Sequence, residues 1–185
     1  MLFTHDTELV LTGMAALVNT MPGSLPGEVQ EDELRTVADL SAFYDRWQYT
    51  GRHDRSVDEL EDVRGIRPRL RLMWELAEAD LVDHVNVLLR DGSATPQLVD
   101  HDGIGWHIHA TDRDAPLATR ILVECAMAVV DVLRADELAR LQVCARPDCD
   151  DVFVDLSRNR SKRFCDTVCG NRQAAADYRA RQAAT

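Results

Sequence analysis

The chain has 185 residues, 45% of them apolar, enough to bury one ordinary core with room for a small appended module. Its formal charge of −11 is unevenly placed: residues 143–185 hold eight basic and six acidic side chains against 13 and 26 in the remainder, so the larger part repels polyanions and the carboxy-terminal part does not. The most apolar stretch, "ILVECAMAVVDVL" from Ile121, is too short for a bilayer and is interrupted by Glu124 and Asp131, while "MLFTHDTELV" lacks the basic start and apolar run of a secretory signal.

These features predict a soluble, cytoplasmic protein with no membrane partner. In that reducing setting its five cysteines suit metal binding or catalysis better than disulfides.

From the amino terminus, helical spacing first appears between about Thr7 and Thr20, with Val10, Met14, Leu17, Val18 and Met21 on one face and Met21-Pro22-Gly23 ending the element. After the turn-rich "PGSLPGE", Leu34, Val37, Leu40, Tyr44 and Trp47 predict a second helix or a bent pair. "TGRHDRS" reads as a loop whose Ser56 can cap a helix starting at Val57. Leu60, Val63, Leu70, Met73, Trp74 and Ala77 continue that pattern, and Gly65 and Pro68 are expected to kink or split it. Asp80 is the expected cap of the next helix, with Leu81, Val82, Val85, Leu88 and Leu89 as one stripe.

The period then changes to two. In "PQLVDHDGIGWHIHA", Ile104, Trp106 and Ile108 share a face, and Asp102-Gly103 predicts a two-residue turn pairing His101 with Ile104 and Val99 with Trp106. An apolar helix from Pro116 to about Leu133 follows, with a short helical extension over 136–141.

Four cysteines close the pattern. Cys144 and Cys149 flank "ARPD", fifteen residues follow, and Cys165 and Cys169 flank "DTV". Zinc takes four soft ligands converging tetrahedrally, and two cysteine pairs on tight turns supply them, so one structural Zn2+ is expected. Four thiolates leave no open position for water or substrate, which argues against a catalytic zinc. Between the pairs, "DVFVDLSRNRSKRF" reads as a hairpin with Phe153 on one limb and Phe164 on the other, bent at Ser157 to Ser161. After Cys169, "NRQAAADYRARQAA" reads as an Ala-rich helix whose first turn carries the last ligand, with Gly170 allowing close packing on the knuckle.

The fold class is therefore α+β: a mostly helical body with a β-hairpin over residues 1–142, and a treble-clef-like zinc finger over 143–185.

Phe153, Asp155, Ser157, Arg158, Asn159, Arg163, the aromatic Phe164, Cys165 and Cys169-Gly170-Asn171-Arg172 resemble the CGNR zinc finger, named for that tetrapeptide. "ALVNTMPG", residues 16–23, and the hairpin carrying Trp106 resemble the ABATE domain that usually precedes this finger. The resemblance implies a stress-linked bacterial transcription regulator that uses its finger on DNA.

The residues themselves support a cationic surface. Arg158, Arg160, Lys162, Arg163 and Arg172 lie within fifteen positions opposed by Asp166 alone, a patch suited to phosphates. Arg172 and Arg179 are seven apart on one helical face, with Asn171 and Gln173 nearby, and Arg and Asn can make bidentate contacts with base edges. The competing reading has these arginines neutralising the tetrathiolate or pairing with Asp148, Asp150 and Asp151, with Asn171 and Arg172 supporting the knuckle.

An acidic body must face away from DNA or two chains must combine their patches, so a homodimer on two half-sites is expected, with a small-molecule effector as a further partner of the body. The alternative function is a protein- or RNA-interaction module with a purely structural zinc.

Other residues carry plainer expectations. His107 and His109 point together, half of a metal site at most, and with His101 read as ordinary strand histidines. Cys125 reads as a buried thiol, Trp47, Trp74 and Trp106 as core, and Asn19 and Thr20 as satisfying backbone groups at a helix end. No Ser-His-Asp arrangement, phosphate loop or dinucleotide fingerprint has supporting context, so no enzyme is predicted.

Overall fold

The computed structural model describes residues 3–23, 31–100 and 105–183. Its elements in chain order are α1 (His5–Val18), α2 (Val37–Arg46), α3 (Val57–Arg71) with a following 3-10 turn (Leu72–Trp74), α4 (Glu78–Asp91), β1 (Gln97–Asp100), β2 (Trp106–His109), α5 (Leu117–Arg134), a second 3-10 turn (Leu138–Arg140), β3 (Leu141–Val143), β4 (Val152–Val154) and α6 (Thr167–Ala183). The α+β expectation holds, with helices enclosing one core and two separate two-stranded antiparallel sheets.

α5 is the centre of the body and packs against α1, α3 and α4. Its Ile121, Cys125, Val129 and Val132 meet Leu11, Met14, Leu17 and Val18 of α1, Leu60, Val63 and Leu70 of α3, and Leu81, Val85 and Leu88 of α4 in a single apolar cluster. Each such side chain contributes about 1.5–3 kcal/mol by leaving water. Cys125 is fully buried, and desolvation pushes its thiol well above the usual range, as expected of an inert core cysteine.

The helix starts follow local chemistry. Ser56 caps α3 by accepting the Glu59 N–H, and the buried Glu59 carboxylate accepts from the backbone of Asp54 and Arg55 and meets His53 Nδ1 at 2.8 Å. Thr36 and Asp39 cap α2 reciprocally. Asp80 is not a cap: α4 starts at Glu78 after Ala77, so Asp80 sits in the first turn, where its charge meets the positive end of the helix dipole.

Pro68 and Gly65 do not split α3, which runs unbroken to Arg71. Pro68 cannot donate to the Arg64 carbonyl, but the neighbouring Arg67 Nε reaches that oxygen at 3.4 Å and partly replaces the lost bond. Arg67 is itself buried, donating to Thr20 Oγ1 and gripping both oxygens of Asp32, which ties the segment after residue 30 to α3. Gly65 is exposed, and a Cβ there would meet nothing within 4 Å. Gly65→Ala is therefore expected to stabilise the chain by about 0.5–1 kcal/mol in denaturant unfolding, and a loss of stability would show that α3 bends there in solution.

The body hairpin differs from expectation in register and in facing. Asp100 pairs with Trp106 and Val99 with His107, one residue off the predicted pairing of Val99 with Trp106. Asp102-Gly103, His101 and Ile104 lie outside the described residues. Trp106, Ile108 and the cross-strand Leu98 point outward, with Trp106 73% exposed, while His107 is buried on the opposite face. Trp106 is therefore not core, whereas Trp47 and Trp74 do pack against it.

The second sheet joins finger to body. β3 and β4 pair antiparallel, Val143 with Val152 and Leu141 with Val154, and β4 lies against α1 with Val152 and Val154 inside the body's core cluster. The expected hairpin between the two cysteine pairs does not form, because β4 takes its ladder from β3, which precedes the first pair. The chain after β4 is instead organised by two buried side chains: the Asp155 carboxylate accepts the N–H of Ser157 at 2.8 Å and of Lys162 at 2.9 Å, and Arg140 Nη1 donates to the Asp155 and Ser157 carbonyls at 2.6 and 2.8 Å. Burial alone would raise the Asp155 pKa, but the bonds from Ser157 and Lys162 and the Arg140 charge more than offset that and hold it below the usual carboxylate range.

Candidate functional site

The Cys144–Cys149 knuckle is the turn between β3 and β4, and Cys144 N–H donates to the Asp151 carbonyl at 2.8 Å to close it. The second pair sits where α6 begins. Asp166 occupies the position before Thr167, its Oδ1 accepting the Cys169 N–H at 2.6 Å, which starts the helix and aims its first turn at the knuckle. A Cβ on Gly170 would meet the Phe164 ring at 3.4 Å, so that glycine lies against Phe164 rather than the knuckle backbone.

The sulfurs of Cys144, Cys149, Cys165 and Cys169 all lie within 4.8 Å of one another. Cys149 and Cys165 are 3.7 Å apart, close to the ~3.8 Å separating two thiolates on one tetrahedral zinc at Zn–S about 2.3 Å. Burial, the largest cause, pushes the Cys149 thiol up to about 12 and raises Cys165 further, with Asp151 adding to both, which disfavours bare thiolates at these two sulfurs.

The backbone is arranged for thiolates. N–H groups of Arg146 and Cys165 face the Cys144 sulfur and hold its pKa below the usual thiol value against the opposing effect of burial. The Asp151 N–H faces the Cys149 sulfur. The four cysteines form a zinc-binding site, closed by four protein ligands and so structural in kind.

The sequence reading missed Arg146. Its guanidinium grips both oxygens of Asp148 and places Nη1 3.8 Å from the Cys169 sulfur, offsetting part of the site's negative charge. Arg and Asp two apart inside a cysteine knuckle was the available signal.

The candidate cations divide. Arg160 is an ion-pair partner of Glu137 at 2.7 Å, together with the buried Arg140, and so braces the finger against the chain before β3. Lys162 stacks over the Phe153 ring at 4.7 Å and Arg163 over Phe164 at 5.7 Å, which orders both stems while their heads stay at the surface. Arg158 is exposed. Asn171, Arg172 and Arg179 lie on the exposed surface of α6, and Arg172 and Arg179 border a groove with Arg146, Pro147 and Gln173. Every described residue of α6 beyond Gln173 is exposed.

Three side chains of the body hold the finger in place. Asn19, at the end of α1, donates Nδ2–H to the Val152 carbonyl and accepts the Val152 N–H, both at 2.9 Å, acting as a substitute strand on the free edge of β4. Trp74 Nε1 donates to the Phe153 carbonyl at 3.0 Å, and Arg71 Nη1 to the Asp150 carbonyl at 2.6 Å. Asn19 does satisfy backbone groups, but those of a strand 133 residues away rather than of its own helix. Thr20 Oγ1 donates to its own helix at the Leu17 carbonyl.

Comparison with known families matches residues 14–136 to ABATE, described as "Putative stress-induced transcription regulator", and residues 140–182 to the CGNR zinc finger. No curated protein matches the chain. Neither family is enzymatic, and among the described residues no helix is long and apolar enough to cross a membrane.

Proposed function

Because the chain belongs to the ABATE family and ends in a CGNR zinc finger, we propose that it is a transcription regulator that binds DNA through the finger, with a body–finger boundary at about residue 142. One observation carries this reading: α6, seventeen residues and about 25 Å long, projects with its outer ten described residues all exposed. An unpacked helix of this length is marginal in water, so its retention argues for a partner that fills its surroundings. Arg172, Arg179, Gln173 and Asn171 on that helix suit a phosphate-lined groove with base edges at its floor.

Arg158, Lys162 and Arg163 supply further charge from the loop beside the knuckle. Arg160 contributes less because Glu137 already claims it. Zinc acts by holding α6 in a fixed direction from the knuckle, which makes DNA binding zinc-dependent. The acidic body stays off the polyanion. In this reading two chains read adjacent half-sites, the outward Leu98, Trp106 and Ile108 offer an apolar surface for assembly, and the shallow groove between α4 and α5 beside Arg90, Pro96 and Met127 is the place for an effector.

The test is selection from a random duplex pool by zinc-loaded protein at low and physiological salt. Enrichment of one motif is expected. Arg172→Ala with Arg179→Ala should reduce affinity by about 1–3 kcal/mol for each base edge no longer read, or flatten the salt dependence by about one charge for each phosphate no longer neutralised, with zinc still at one per chain. Retention of a protein or RNA partner at high salt, with no retention of duplex DNA at either salt, would replace this reading with that of an interaction module.

A further inference from the structure

Outside the finger, the described residues bring one pair of histidines together: His107 and His109, alternate residues of β2 on the inward face of the body hairpin. Their Nε2 atoms are 3.0 Å apart and their rings 4.9 Å between centroids. His107 Nδ1 lies 2.7 Å from the Gly105 carbonyl, which can only accept, so Nδ1 carries the hydrogen and Nε2 the lone pair. A backbone carbonyl holding the distal N–H is the usual support of a histidine that ligates through its other nitrogen.

The facing of the hairpin points the same way. Leu98, Trp106 and Ile108 are 64%, 73% and 53% exposed, while His107 on the opposite face is 9% exposed. A hairpin that only covered a core would take the opposite facing, since that choice would remove three large apolar side chains from water.

We propose that His107 and His109 form a second metal site, distinct from the zinc finger and formed by neutral imidazoles. In the metal-free pair His109 Nε2–H donates to His107 Nε2. With the His109 hydrogen carried on Nδ1 instead, each Nε2 offers a lone pair 3.0 Å from the other, so the two nitrogens can share one divalent ion. With metal–nitrogen bonds of about 2.0–2.1 Å, a 3.0 Å nitrogen separation subtends roughly 90–100° at the ion. That is the cis angle of square-planar or octahedral ligation and is narrower than a tetrahedral ion prefers, which selects Ni2+ or Cu2+ over Zn2+. Gln97, directly across the ladder from His109 and exposed, shares this face as an oxygen donor. Access is from the half-exposed His109 side, since His107 is 9% exposed.

The experiment is equilibrium dialysis of the zinc-loaded, tag-free full chain against Ni2+, with both metals quantified. One nickel beside one zinc per chain is expected. His109→Gln should weaken nickel retention by about tenfold or more, at least what losing a supporting group costs, while zinc stays at one per chain. Cu2+ in place of Ni2+ should show two equivalent-class nitrogen couplings in its paramagnetic spectrum, one of them lost in His109→Gln. No nickel retained, equal retention in the variant, or nickel appearing only as zinc is displaced would each overturn the proposal. The zinc count separates a lost histidine site from a damaged finger.

Discussion

Removing zinc, by chelation or by Cys149→Ser, is expected to destabilise the whole chain rather than the finger alone. The knuckle is the turn that joins β3 to β4, and Val152 and Val154 of β4 belong to the same apolar cluster as α1 and α5. Without metal, the four sulfurs lose the cation that holds them together, the knuckle opens, and β4 loses its ladder partner. Structural zinc contributes apparent binding free energies of about 10–16 kcal/mol in isolated fingers, part of which is folding free energy. If only about 4 kcal/mol of that reaches the body, its melting temperature falls by about 8–16 °C for a chain of this size. Calorimetry with and without chelator checks this, and the expected result is a single transition moving down. Two transitions, with the larger unmoved, would show that the body holds β4 unaided.

Asn19→Ala is expected to cost about 2–4 kcal/mol, far more than a half-buried asparagine at a helix end normally contributes. Its amide satisfies both the N–H and the carbonyl of Val152, whose side chain is buried, and each orphaned group costs about 1–3 kcal/mol. Asn19→Asp is the informative partner. It still accepts the Val152 N–H but sets a carboxylate oxygen against the Val152 carbonyl, so it should be no better than alanine. Denaturant unfolding gives the magnitude, and hydrogen exchange should localise the loss to the Val152 amide. A cost below about 0.5 kcal/mol in Asn19→Ala would mean that water replaces the amide and that the finger's placement rests on Trp74 and Arg71.

The two results together ask whether body and finger form one cooperative unit. The β4 edge is where the two parts meet, and Asn19 shares that contact with Trp74 and Arg71.

Much of this was legible in the residues. The four zinc ligands were identifiable because the cysteines fall in two closely spaced pairs within 26 residues. α5 was legible from one long apolar pattern and the start of α3 from Ser56, both local. Local reasoning failed where a compensating partner lay one step aside, as at Pro68, where the side chain of Arg67 stands in for the missing N–H. It also failed where two chemically sensible faces competed. The alternation of Trp106 and Ile108 with His107 and His109 specifies a strand with two distinct faces, but not which face turns inward.

By itself, then, the sequence determined the metal, the helices and the cationic character of the finger, because these depend on neighbours within a few positions along the chain. Tertiary structure alone decided that β4 completes the body's core, that Asn19 closes its open edge, that Arg160 is taken up by Glu137 and that the hairpin turns its histidines inward. The physical reason is the same in each case. A hydrogen bond or ion pair between residues 23 or 133 positions apart is selected by how the packed elements meet, and no local propensity records that meeting.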